Sequence, residues 1–412
     1  MIQKGILFLM MLLLTAGISC TKQSGQGPGQ LVADNTAFAA RQYSHHLKLI
    51  EASGKVLNPK TFINGKIRYI SPEEWTSGFF PGSLWYLYEL TGDTLWKRAG
   101  ITQTEALDTV KHLTWHHDVG FMIGCSYGNA LRLTGNPAYK EVLVQAARSL
   151  STRFRPEAGI LQSWNVERGW QSERGWECPV IIDNMMNLEL LFDATELSGD
   201  SSFFKIAVSH ADKTMQEQFR PDYSTWHVID YNPADGSVRH KHTAQGYAHE
   251  SVWARGQAWA VYGYTMCYRK TGFPRYLEQA GKAFSFIANH PNLPEDGIPY
   301  WDFNAPGIPD ALRDVSSAAI LASACYELSQ YTQPEYYKAW ADKIITSLSS
   351  AAYRAPEGEN GNFLLMHSVG SIPHNSEIDV PLNYADYYFL EALKRKKELD
   401  ALPEEGKGNS HL

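Results

Sequence analysis

The sequence is short of several features that would direct it elsewhere. Only five of its 412 residues are cysteine, and with Cys20 set aside the remaining Cys125, Cys178, Cys267 and Cys325 are widely spaced, with no CxxC. Such spacing builds neither a zinc knuckle nor a redox pair, and the apolar helical patterns around most of them favour buried free thiols. No HExxH and no phosphate-binding glycine loop occurs, so metalloprotease and nucleotide chemistry find no support. Positive charge is in deficit: 37 Lys and Arg stand against 44 Asp and Glu, a formal charge of -7. That disfavours nucleic acid as a partner, and an anionic substrate would need a local positive field. With 44% hydrophobic and 20% charged residues, neither wholesale disorder nor a multi-span membrane protein fits.

The first nineteen residues read as an export signal, Lys4 followed by the apolar run Ile6 to Leu14, which is too short to span a bilayer stably. Gly17-Ile18-Ser19-Cys20 resembles a bacterial lipoprotein signal with Cys20 as the lipidated first residue; ordinary signal cleavage is the alternative. Residues 20–34 are expected to be lipid attachment and a tether, since Gln23 to Gln30 holds three Gly and one Pro. Residues 35–398 are expected to form the folded domain, and 399–412 a tail. The expected location is the periplasm or outer membrane of a Gram-negative bacterium, with membrane contact through the lipid alone.

Between Thr36 and Lys397 apolar residues recur at helical spacing in about a dozen stretches, and alternating strands are scarce. A short connector recurs as Thr91-Gly92-Asp93, Thr134-Gly135-Asn136, Ser198-Gly199-Asp200 and Thr271-Gly272-Phe273, with a weaker copy at Tyr331-Thr332-Gln333. In the strong copies Gly suits the left-handed residue that ends a helix, and the polar residue or Pro that follows starts the next. Long connections near residues 153–180, 219–250, 291–313 and 352–381 alternate with these turns. The pattern predicts an all-α fold of six helical hairpins closed as an (α/α)6 toroid, with an open solenoid as the alternative. All long loops and inner-helix N-termini then share one mouth, where function is expected.

Unusual polar residues collect at those N-termini, around Trp75, His117-Asp118, Ile182-Asp183 and the stretch from Gln245 to Trp259. Asp118 and Asp183 each suit helix N-capping. Asp183 follows Pro179-Val180-Ile181-Ile182, and partial burial there should raise its pKa, as a proton donor near neutrality requires. His117 and His227 are either satisfied core histidines or site residues. Arg255 precedes Trp259 by one helical turn, a spacing that predicts a carboxylate clamp beside an aromatic platform. His240 and His242 are expected to point to opposite faces, and no metal or other cofactor is assigned. Twelve Trp and 22 Tyr suit stacking on sugar faces.

Trp75-Thr76-Ser77-Gly78-Phe79, His117-Asp118-Val119-Gly120-Phe121, Asp183-Asn184-Met185-Met186-Asn187, the run Trp253 to Trp259 and Ser376 to Leu382 together resemble the unsaturated glucuronyl hydrolases of glycoside hydrolase family 88, over most of residues 35–396. The resemblance implies a substrate made by a polysaccharide lyase, a glycosaminoglycan-type oligosaccharide with a 4,5-unsaturated glucuronic acid at its nonreducing end. It implies hydration of the C4=C5 vinyl ether, so the carboxylate-separation rule of ordinary glycosidases does not apply. On this likeness Asp183 is the general acid and base and Asp118 the second carboxyl. His117, His227, Gln245, Arg255 and Trp259 bind the unsaturated ring, Arg255 and Gln245 lie near its carboxylate, and Trp75 shapes the pocket.

Relatives that accept sulfated substrates carry a loop with serines and a lysine. Ser368 and Ser371 match it, but no lysine follows, leaving His374 or Arg168 as substitutes. Trp164, Trp170 and Trp176 are the candidates for the second sugar. The rival readings are an unsaturated rhamnogalacturonyl hydrolase acting on pectin fragments, a polysaccharide lyase on the same fold, and a glycan-binding lipoprotein without catalysis.

Overall fold

The computed structural model describes residues 28–403. The expected export signal, Cys20 and most of the tether lie outside the described residues, as does most of the tail. The expected domain boundaries shift at both ends. Helix α1 (Pro28–Ser53) begins inside the supposed tether, because Pro28 suits a first helical turn and Asn35 is held by Leu31 and Ser349. The last helix continues to Ala401 rather than ending at 398.

After the hairpin of β1 (Asn58–Ile63) and β2 (Lys66–Ile70) come α2 (Phe79–Thr91) and α3 (Thr94–Glu105), then a π-helical stretch, Gly120–Gly128, that runs into α4 (Asn129–Thr134), followed by α5 (Pro137–Ser151). The chain continues through β3 (Phe154–Arg155), β4 (Ile160–Leu161), β5 (Cys178–Ile181), α6 (Leu188–Ser198), α7 (Ser201–Glu217), β6 (Val228–Tyr231) and β7 (Val238–His242). It ends with α8 (Ala254–Thr271), α9 (Pro274–Ala288), α10 (Val315–Leu328), α11 (Pro334–Leu348), β8 (Ser368–Ser371), β9 (Ser376–Val380) and α12 (Asn383–Ala401).

Helix α2, the π-helical stretch with α4, and helices α6, α8, α10 and α12 form the inner ring. The π-helical stretch packs on both α2 and α6, the later helices each pack on the next, and α12 returns to α2, so the barrel closes and the open solenoid is excluded. The inner helix α10 buries every side, with all of Val315–Leu328 buried. Outer helices are amphipathic, as in α9, whose Tyr276, Ala280, Ala283, Phe284 and Ile287 form one buried stripe. The short turns behave as their sequences predict. Gly92, Gly135, Gly199 and Gly272 end inner helices in the left-handed conformation, and Asp93, Asn136 and Asp200 cap the following helices. In the weaker copy Gln333 takes the left-handed role, at φ 43°.

The short strands lie at the mouth, and the three-stranded antiparallel sheet β5-β6-β7 walls one side of it. Here one expectation fails. Residues two apart on a strand share a face, and the His240 and His242 rings stack at 4.9 Å. Cys178, Cys267 and Cys325 are buried free thiols and Cys125 is a half-buried one.

Candidate active site

Neither aspartate is spent on a helix cap. The π-helical stretch is preceded by Val119, and the 3₁₀ turn Ile182–Asn187 by Ile181, neither giving a side-chain cap. Asp118 and Asp183 are instead buried at the mouth. The two segments pack closely: a Cβ on Gly120 would come within 2.5 Å of the Cα and Oδ1 of Asn187. Only glycine leaves room for that asparagine, which then clamps the loop. Asn187 accepts from the Phe121 amide at 3.0 Å and donates to Asp118 Oδ1 at 3.2 Å.

Asn184, one turn earlier, sets a proton position. Its amide nitrogen donates to the Leu161 carbonyl at 2.8 Å, which turns its oxygen toward His117 Nδ1 at 3.4 Å. Burial holds the His117 imidazole neutral, well below its usual range. Its proton therefore sits on Nδ1, and the bare Nε2 lies 3.2 Å from Asp118 Oδ2. Burial first, and then the neighbouring Asp183 charge, push the Asp118 carboxyl well above its ordinary range. Asp118 is thus able to keep its proton and turn it toward His117 Nε2.

His227 is fixed in the opposite tautomer. Its Nδ1 accepts from the backbone amides of Ala244 at 3.0 Å and Gln245 at 3.2 Å, and burial keeps the ring neutral. The proton belongs on Nε2, which faces Asp183 Oδ2 at 3.7 Å. Both atoms are without hydrogen-bond partners among the described residues. Burial raises the Asp183 pKa from 3.8 to about 6, with the Arg255 charge, a backbone amide and the Trp259 indole opposing it. An unpartnered carboxyl oxygen that titrates near neutrality is equipped to give and take a proton.

Arg255 and Trp259 differ from the expected clamp and platform. The side chain of Arg255 lies over Trp253 at 4.5 Å and Tyr384 at 5.3 Å, not over Trp259, because helical Cα–Cβ bonds tilt toward the N-terminus. One terminal nitrogen meets Asp314 at 3.2 Å and the Val369 carbonyl, and the other the Gly370 carbonyl at 2.7 Å. The guanidinium therefore anchors β8, leaving only Nε without a partner among the described residues. Trp259 is wholly buried between Phe121 and Tyr388 and directs its indole N–H, which makes no close hydrogen bond among the described residues, toward Asp183 rather than offering a ring face.

The other expected residues reach the same mouth. Half-buried Trp75 packs against Phe121 and Tyr384, and the Gln245 amide donates to the Gly370 carbonyl at 3.3 Å. Ser368 is buried with its hydroxyl unpartnered, and the Ser371 hydroxyl pairs with His374 Nδ1 at 2.7 Å. Arg168 is exposed. Sequence reasoning missed Asn184, Asn187 and Asp314 as positioning residues. For the asparagines the signal was present, since residues three apart on one turn share a face. A further motif comes to nothing: Gly124-Cys125-Ser126-Tyr127-Gly128 has the spacing of a nucleophile elbow, but Ser126 is buried within the π-helical stretch and donates to the Met122 carbonyl at 2.6 Å. The described residues hold no group of three or more His, Cys, Asp or Glu placed to bind a metal ion.

Residues 60–299 match the model of Glycosyl Hydrolase Family 88. An unsaturated glucuronyl hydrolase of Formosa agariphila is 48% identical over 334 residues, 81% of this chain and 82% of that protein. The crystal structure of an unsaturated glucuronyl hydrolase specific for heparin superposes with a TM-score of 0.85 at 44% identity, covering 90% of this chain and 98% of the other. A mutant unsaturated glucuronyl hydrolase of Streptococcus agalactiae, complexed with dGlcA-GalNAc6S, gives a TM-score of 0.72 at 27% identity, covering 90% and 92%.

Proposed function

The chain belongs to glycoside hydrolase family 88, and from that premise we propose that it removes the nonreducing-end 4,5-unsaturated glucuronic acid from lyase-generated, glycosaminoglycan-type oligosaccharides. The observation that carries the reading is Asp183: a buried carboxyl with a free oxygen, titrating at about 6, at the mouth of the barrel opposite the His227 N–H. A vinyl ether needs a proton at carbon before water adds, and such a group supplies it.

Asp183 gives its proton to C4, and the π electrons of C4=C5 form the new C–H bond, leaving positive charge shared by C5 and the ring oxygen. Water adds at C5 and loses its proton to the Asp183 carboxylate, which restores the acid. The C5 hemiketal opens and the rest of the oligosaccharide is released. Asp118, with its proton turned toward His117, binds sugar hydroxyls. The N–H donors of His227, Arg255 Nε and Trp259 meet the unsaturated ring and its carboxylate, and Trp75 closes one wall. Arg255 supplies the local positive charge that the acidic chain lacks as a whole.

The test is the ultraviolet absorbance of unsaturated disaccharides incubated with the purified chain and with Asp183→Asn. Absorbance should fall with the wild type alone; a rise on intact polymer would identify a lyase instead. Export rests on the N-terminal pattern of Lys4, the apolar run and Cys20. Radiolabelled lipid should attach to the wild-type chain and not to Cys20→Ala.

A further inference from the structure

Between the two segments that carry the aspartates lies a buried charge that this mechanism does not use. Arg153 follows the outer helix α5 and is 3% exposed. Its Nε donates to the Gln162 carbonyl at 2.8 Å, one terminal nitrogen to the Thr114 carbonyl at 3.0 Å, and the other to the Ser163 carbonyl at 3.1 Å and Asn165 Oδ1 at 3.0 Å. None of these acceptors is a carboxylate. Taking a charge out of water is costly unless it is paired, and burial pulls Arg153 down to about 10, so it still carries its charge at neutral pH.

The acceptors belong to the stretches that deliver the aspartates. Thr114 stands four residues before Asp118. Ser163, just past β4, accepts from the Ile181 amide through its hydroxyl at 3.0 Å and donates its own amide to the Pro179 carbonyl at 2.9 Å. Ile181 stands two residues before Asp183. One planar fork thus ties the His117–Asp118 loop to the strands that carry the Asp183 turn, and a fork fixes direction as well as distance.

The same charge bears on the groups around Asp118. His116 Nδ1 accepts from the Asp118 amide at 3.1 Å, which requires that nitrogen to be bare, and its ring lies parallel to His117 at 5.8 Å. Burial first, and then the Arg153 charge, pull His116 down to about 4, with Glu74 opposing them. His117 is held neutral by burial, then by His116 and Arg153, with His210 adding to them. Asp118 feels Asp183 and Glu74 as well as Arg153, and Arg153 itself has Arg155, Cys178 and Glu167 around it.

We propose that Arg153 is a positioning residue of the hydrolase: its fork sets the His117–Asp118 loop against the Asp183 turn, and its unpaired charge keeps a proton off His116, so that the imidazole goes on holding the Asp118 amide. The proposal rests on the hydrolase reading above and adds a group that acts through Asp118 rather than on the substrate.

The test is the pH profile of kcat/KM on an unsaturated disaccharide, with thermal unfolding measured alongside. The wild-type plateau should reach down to about pH 4, where His116 takes a proton. Asn165→Asp, at an exposed position, keeps every hydrogen bond of the fork and sets a carboxylate against it; the acid limb should move up by about one pH unit, with plateau kcat within about twofold. Arg153→Gln should move the limb at least as far and lose about tenfold in plateau kcat, because the two segments shift against each other. Arg153→Lys, which keeps the charge without the fork, should return the limb to its wild-type position and recover only part of kcat. An acid limb in Asn165→Asp that coincides with that of the wild type would overturn the proposal and leave the hydrolase reading intact, even where Arg153→Gln fails to fold. A wild type inert toward the disaccharide would overturn both.

Discussion

At the open mouth of the barrel Asp183, His227, Arg255, Trp259 and Ser368 each bury a polar atom that no described residue partners. At the closed end a cluster of buried carboxylates, guanidinium groups and hydroxyls is engaged instead. Glu391 accepts from Tyr86 at 2.7 Å, Tyr262 at 3.0 Å and Ser323 at 2.6 Å. Glu327 pairs with Arg269 at 2.8 Å and Arg395 at 2.7 Å, and a cavity of about 570 Å³ opens among these side chains. Burying a polar group costs about 1–3 kcal/mol when its hydrogen bond is missing. A chain that tolerates this cost at one end and avoids it at the other has placed chemistry at the first and structure at the second.

The sharpest way to break the comparison is Asp183→Asn. The kcat should fall about 10³-fold, within the range of general acid–base catalysis, while the fold gains stability. The folded pKa is raised, so the native state holds this proton after the unfolded chain has lost it, and stability is lost as pH climbs from 3.8 toward about 6. A rise from 3.8 to about 6, at about 1.36 kcal/mol per unit, amounts to about 3 kcal/mol. Denaturant titrations should show the variant more stable at pH 7 and no different below pH 4.

The mirror experiment is Glu391→Leu at the closed end, which removes the shared acceptor of the Tyr86, Tyr262 and Ser323 hydroxyls while Arg395 keeps Glu327. Unfolding free energy should drop by about 3 kcal/mol, since three buried hydroxyls lose their acceptor at about 1–3 kcal/mol each, with kcat of the folded fraction kept within about twofold. Large activity loss without instability would erase the distinction between the ends. The pH profile sharpens the mouth alone: kcat/KM should hold below about pH 6 and fall about tenfold per unit above it, as Asp183 loses the proton that C4 needs. The smallest effect belongs to neither end. Asp93→Ala removes a side-chain cap on the outer helix α3 and should cost about 1 kcal/mol by thermal unfolding, with unchanged kinetics.

Much of the scaffold was legible in the sequence because its signals are local. A left-handed glycine followed by a capping residue acts over a few positions, and its recurrence announced the repeated hairpin and its common direction. The strands at the mouth were not legible, because elements such as β3 and β4 are two residues long and β5 finds β6 across an intervening hairpin of helices. In the site, Asp183 was legible from its apolar surroundings. The work of Arg255 was not, since its partners Asp314, Val369 and Gly370 are 59 to 115 residues away.

By itself the sequence determined the helical hairpins, the mouth toward which their inner helices point, and the carboxyls and imidazoles delivered there, since each depends on neighbours within a few turns. Only the tertiary structure decided which nitrogen of His117 and of His227 carries the proton, and that Arg255 anchors β8 with both terminal nitrogens. Those outcomes depend on groups that meet only when the ring closes, where burial shifts protonation and the partner that does or does not arrive settles the role of each charge.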